Sequence, residues 1–201
     1  MIKIQFNKIS LITIRKELEI RRGALPILQN KEAALRAETQ KIRNRIKMLD
    51  EKIEQSFREL APIERMWNEF PDLVTLKEIR YAKKKAASVM VSIIDGCLFD
   101  RAPFSIFGNP SWFLQGIEIM KDMIRLKFER VNEEKILAQV ERERRKTTQK
   151  VNLYEKVQIP FFEEAIRKIK RYLEDEENLS KASQKILKRR QEAVLQYDGR
   201  R

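Results

Sequence analysis

Residues 147–173 read TTQKVNLYEKVQIPFFEEAIRKIKRYL. Val151, Tyr154, Val157, Phe161, Ala165, Ile169 and Leu173 recur at steps of three and four, the spacing of one face of a helix. Pro160 stands inside that run. An interior proline removes one backbone hydrogen bond and clashes with the preceding turn, at a cost of about 3 kcal/mol, so it normally ends or kinks a helix. The apolar stripe nevertheless resumes in phase beyond it. The stretch therefore predicts a continuous helical rod with a bend at Pro160.

A second stripe runs through the first part of the chain. Leu11, Ile14, Leu18, Leu25, Leu28, Leu35, Ile42, Ile46, Leu49, Ile53, Phe57 and Leu60 are spaced by three, four or seven residues, a narrow and sustained seam of the coiled-coil kind. Asn7 or Ser10 can cap its start, Pro62 and Pro71 mark its end, and Pro26 interrupts it. The later arm starts near Asn109-Pro110-Ser111, an N-cap followed by proline at the first helical position. Its apolar positions are Ile117, Met120, Ile124, Val131, Ala138 and Val151, then those of the opening stretch, then Leu179, Ile186 and Val194. At a rise of about 1.5 Å per residue the arms would extend roughly 80 Å and roughly 125 Å.

Between the arms lie Pro62, Pro71, Pro103 and Pro110 with Gly96, Gly108 and Gly116, so the chain turns there. SVMVSIIDGCLFDRAPFSIF holds two β-favouring runs separated by Asp95-Gly96, a pair that tolerates the positive φ of a type I′ turn. This predicts a short β-hairpin. Because an isolated two-stranded hairpin is marginal in water, it should lean on the helices or dock on a partner. Phe99, Phe104, Phe107, Trp112 and Phe113 would form an apolar head beside it.

Each arm has one apolar stripe and little to bury it against except the other arm. The expected fold is mainly all-α: a long antiparallel two-helix coiled coil with a short β-hairpin head. The expected division is an amino-terminal arm over 1–66, a head over 67–110 and a carboxy-terminal arm over 111–201, in one elongated domain. With Ile63 opposite Ile117, paired positions sum to about 180. Pro160 then faces residue 20 and lies within ~9 Å of the height of Pro26 by helical rise, so the two prolines would share one bend.

Composition agrees with long helices. Of 201 residues, 36% are charged and only five are glycine and six proline. The net charge of +13 favours anionic partners, yet acidic residues are interleaved with the basic ones, as in KEAALRAETQKIRNRIKMLDEKIEQ. That is a solvated, salt-bridged helix face rather than a concentrated nucleic-acid footprint. Lys83-Lys84-Lys85 and Lys188-Arg189-Arg190 are local clusters that could meet phosphates or acidic protein, or simply water. Glu174-Asp175-Glu176-Glu177 lacks the spaced ligands and turn glycine of a calcium loop.

There is no histidine, no GxxxxGK[ST] and no GxGxxG, which removes triad chemistry, histidine-liganded metals and the standard phosphate loops. Cys97 is the one cysteine, so no intramolecular disulfide forms and a reducing cytoplasm is the simplest setting. No signal peptide and no apolar run of about 18 residues is present, so no direct membrane insertion is expected. Nothing in these residues is catalytic, and no cofactor or metal is expected.

Lys150-Val151-Asn152 with Glu155, then Ile159-Pro160, Ile166 and Ile169, preceded by Thr147 or Thr148, together with RKELEIRRGALPILQNKEAAL and a hairpin between long helices, resemble the D subunit of the V-type and archaeal-type ATP synthases. The chain departs from that family at Pro26 and Gln29-Asn30, and LSKASQKILKRR matches its tail loosely. The resemblance implies a non-catalytic rotor shaft that couples ATP synthesis or hydrolysis to proton or sodium ion transport. It implies a catalytic A/B-type hexamer around the shaft, the small F subunit of the stalk on its side and a socket subunit on the membrane ring, on the cytoplasmic face of the membrane. Lys150, Asn152, Glu155 and Pro160, with Asp95 and Gly96 of the hairpin, are the expected structural and partner-interface residues. The alternatives are a basic coiled-coil nucleic-acid-binding protein, which would need a cationic stripe that the dispersed charge does not provide, and a scaffolding or membrane-binding helical hairpin, which would need a wide apolar face where the seam is narrow and already used by the other helix.

Overall fold

The computed structural model describes residues 5–103 and 105–198. It is mainly helical, with two long helical arms packed antiparallel and a two-stranded antiparallel hairpin between them in the chain. Helix α1 runs Lys8–Leu60, and the Asn7 carboxamide oxygen accepts the Ser10 N–H at 2.7 Å, so Asn7 is the cap. A 3₁₀ turn Ala61–Ile63 and a one-turn helix α2, Glu64–Trp67, lead to strands β1, Val74–Ala86, and β2, Val89–Arg101. After a 3₁₀ turn Ile106–Gly108 come α3, Trp112–Leu153, a π-helical turn Tyr154–Gln158, and α4, Ile159–Asp198. Phe104 lies outside the described residues, as do the side chains of Ile63 and Val194.

The chain forms two compact units. In the unit Asn30–Thr148, α1 and α3 run antiparallel and bury Leu35, Ile42, Ile136 and Val140, with Leu35, Ile42 and Val140 wholly shielded from solvent. Ala86 and Val91 of the hairpin join the same cluster, so the hairpin leans on the helices through its tip. Arg130 donates to Asp50 at 2.5 Å and the Thr148 hydroxyl lies 3.5 Å from Glu32, so these partners sum to 180, the register expected from the sequence. Buried Thr39 and Thr147 satisfy their hydroxyls on the carbonyls of Leu35 and Glu143, one turn back.

The aromatic head is partly as expected. Phe113 is buried and Trp112 half-buried against Phe70, Leu73 and Ile117, but Phe107 is fully exposed. Gly116 is required there, because a Cβ on it would lie 2.5 Å from the Phe70 ring. Val131 and Ala138, expected in the seam, are exposed, and Ile136 and Val140 take their place. The hairpin is the physical reason. It adds a third surface beside the two helices, and α3 turns toward both.

The hairpin turn is not at Asp95-Gly96. It is the two-residue loop Ala87-Ser88, with Ala86 paired to Val89. Ala87 has φ 54° and is the one non-glycine with positive φ among the described residues, where no glycine has a positive φ. Asp95 instead sits at a register shift: Arg80 pairs with Gly96 and Tyr81 with Ile94, leaving Asp95 as the extra residue of a bulge. A turn at Ala87 holds an alanine in the left-handed region at a cost of roughly 1–2 kcal/mol. It is offset by a ladder that runs from Ala86–Val89 to Val74–Arg101 and puts Val91 on the helices.

In the other unit, Met1–Gln29 with Gln149–Arg201, the start of α1 packs antiparallel on α4. Ile14, Leu18, Phe162, Ala165 and Ile169 form its core, flanked by Leu11, Ile159, Ile166 and Leu173. Beyond Leu173 every described side chain of α4 through Gln191 is exposed, including Leu179 and Ile186.

Candidate functional site

The region around Pro160 is where the helix changes its winding. Proline offers no N–H to the carbonyl four residues back, and its ring crowds that carbonyl. The chain answers with the π-turn Tyr154–Gln158, closed by the Ile159 N–H on the Tyr154 carbonyl, and then resumes as α4. A π-turn holds one residue more than an α-turn, so the residues after it are rotated by about 100° from their α positions.

That rotation corrects the stripe expected from the sequence. Val157 is 57% and Phe161 41% exposed, whereas Phe162 is 3% exposed and Gln158 half-buried. Ala165 and Ile169 remain in the core, as expected. The seam therefore departs from the expected stripe at the turn itself, where Gln158 and Phe162 stand in for Val157 and Phe161, and rejoins it at Ala165. Pro26, by contrast, leaves α1 unbroken from Lys8 to Leu60, so it does not interrupt the helix in the way expected.

One side chain ties the altered turn to α1. The Arg21 Nε donates to Gln158 Oε1 at 2.8 Å, and its Nη1 donates to the Glu17 carbonyl at 3.0 Å and pairs with the Glu17 carboxylate. Its guanidinium lies 4.9 Å from the Phe162 ring centre and 6.0 Å from that of Tyr154, within cation–π range of both. Arg22 follows with a 2.6 Å pair to Glu163. Apolar spacing gives no sign of Arg21, although the register of 180 sets it close to the proline turn.

Lys150, Asn152, Glu155 and Pro160 are all exposed. Alongside them Leu153, Val157 and Phe161 are exposed apolar side chains. The segment 150–161 thus presents a mixed polar and apolar surface while Arg21, Tyr154 and Phe162 hold its inner side. Asp95 and Gly96 belong to the other unit. Among the described residues no group of acids, histidine or cysteine is gathered with metal-ligand spacing, and no helix is long and apolar enough to cross a membrane.

A family model for the ATP synthase D subunit matches residues 10–189. The chain is also similar to a protein of Borreliella burgdorferi named as the D subunit of a V-type ATP synthase, at 31% identity over 191 residues that cover 94% of this chain and 95% of the relative.

Proposed function

This chain belongs to the ATP synthase D-subunit family, whose members are non-catalytic central-stalk components of rotary V-type ATPases, and on that premise we propose how its surface works as a shaft. The exposed side of 150–161, with Lys150, Asn152, Glu155 and Pro160, is a contact surface for the subunits around the stalk. The supporting observation is the π-turn. It accommodates Pro160 and leaves Val157 and Phe161 exposed beside Lys150, Asn152 and Glu155, and π-turns inside helices are frequent at functional sites.

Around the shaft stand the catalytic A/B-type hexamer, the small F subunit on its flank and a socket subunit on the membrane ring, at the cytoplasmic face of the membrane. The shaft couples ATP synthesis or hydrolysis to proton or sodium ion transport. As it turns, an asymmetric surface biases the open and closed populations of the catalytic sites in sequence, through differential contact with each state. Pro160 contributes to that asymmetry.

The test is purification of the tagged chain from its native membranes, as wild type and as Pro160→Ala. The wild type should bring ATPase subunits with it. The variant should assemble but show ATP hydrolysis less tightly coupled to ion transport. Recovery of the wild type with nucleic acid instead of ATPase subunits would contradict the assignment, and unchanged coupling in the variant would remove the role of Pro160.

A further inference from the structure

The hairpin carries a surface that the helices leave uncovered. In the ladder Tyr81 pairs with Ile94, Lys83 with Ser92 and Lys85 with Met90, and the alternating set is Ala82–Ile93, Lys84–Val91 and Ala86–Val89. Cross-strand partners share a face of the sheet, and successive pairs alternate. Ala86 and Val91 are buried against Leu35, Ile42, Ile136 and Val140, so Tyr81, Lys83, Lys85, Met90 and Ser92 face away from the helices, while Ile94 beside the bulge is half-buried. Tyr81 is 54% and Met90 61% exposed, and Lys83, Lys85 and Ser92 are exposed with them. Among the described residues none of Arg80, Lys83, Lys84 and Lys85 enters an ion pair, whereas pairs are frequent along the helices.

The surface joins two recognition chemistries. Tyrosine and methionine are residues of interface cores, adaptable and apolar with little entropy lost on the tyrosine side. Unneutralised lysines in a row steer and orient a partner of opposite charge. A single aromatic ring with no stacking neighbour is poor equipment for nucleic-acid bases. An anionic bilayer would meet Ser92 and two lysines between the apolar tips, and Asp95 and Asp100 further along β2.

We propose that this outer face of the hairpin tip docks an acidic protein surface on another component of the same complex, one that presents carboxylates to Lys83 and Lys85 and an apolar seat to Tyr81 and Met90. The proposal rests on the stalk reading above and names a second contact surface for it. Docking there also answers the marginal stability of a two-stranded sheet, half of which the chain's own helices support.

The experiment is side-chain acetylation of lysines in the isolated full chain and in the assembled complex purified from membranes, read by mass spectrometry. Lys83 and Lys85 should be modified at least tenfold more slowly in the complex, with each rate normalised to a free lysine peptide added to both reactions. The Lys83→Glu/Lys85→Glu double variant, folded as judged by circular dichroism, should lose neighbouring subunits at lower salt than wild type. Equal reactivity in the chain and in an assembled complex overturns this proposal and leaves the stalk assignment standing. Failure to recover the chain in any ATPase complex overturns both. Slowing that requires vesicles of phosphatidylglycerol and is absent in the detergent-solubilised complex overturns it in favour of a lipid surface.

Discussion

Phe161 and Phe162 are adjacent, equal in size and opposite in fate. Phe162 lies in the core with Ile14, Leu18, Ala165 and Ile169 and under the Arg21 guanidinium, while Phe161 is exposed. Phe162→Ala should therefore destabilise the chain by about 3–5 kcal/mol, the range for emptying a buried aromatic position. Phe161→Ala should change stability by less than about 0.5 kcal/mol, as surface substitutions do. Urea unfolding of the two variants checks the departure at the π-turn directly. A helix with the uninterrupted spacing read from the sequence would give the reverse order. The inner residues were only half legible: Ala165, Ile169 and Leu173 follow from spacing alone, but spacing cannot announce that a proline will be absorbed by a wider turn rather than by a kink.

At the scale of elements the legible features were those set by local chemistry. The Asn7 cap, the α1 seam at Ile14, Leu18, Leu35 and Ile42, and the register with partners summing to 180 all follow from side chains that act within a turn or across one interface. A hairpin does lie between the arms, but the two runs read as its strands both fall within β2, and its other strand, β1, precedes them. Asp95-Gly96 has the better turn chemistry, but strand length and the burial of Ala86 and Val91 on the helices outweigh it. The basic run through Lys83–Lys85 masked β1, because a strand with one exposed face can carry lysine as easily as a loop can. Helix surfaces yield a pH prediction. Glu143, Glu164 and Glu177 are held below the ordinary carboxylate range, first by hydrogen bonds from Lys146, Lys168 and Lys181 and then by the charges of those lysines. A depressed carboxylate contributes stability above its unfolded value and loses it as pH falls through the folded one. With no histidine in the chain, helix content by far-UV circular dichroism should stay level from about pH 8 to about pH 5 and decline only as pH drops below about 4. A transition near pH 6 would show that some other group governs the helices.

At the scale of the molecule, the chain has the chemistry of a mechanical part. It is a helical pair held by narrow apolar clusters, with charges that are solvated or locally matched, and it belongs to the ATP synthase D-subunit family. Two of its exposed surfaces are proposed for neighbours, the proline turn at 150–161 in one unit and the hairpin tip in the other. The central claim is that this chain turns inside its complex. It is tested by immobilising the purified complex through its catalytic subunits and attaching a bead to exposed Ser111→Cys in a Cys97→Ser background. On addition of ATP the bead should rotate steadily in one direction. A bead that stays fixed while the same complex hydrolyses ATP would contradict the account.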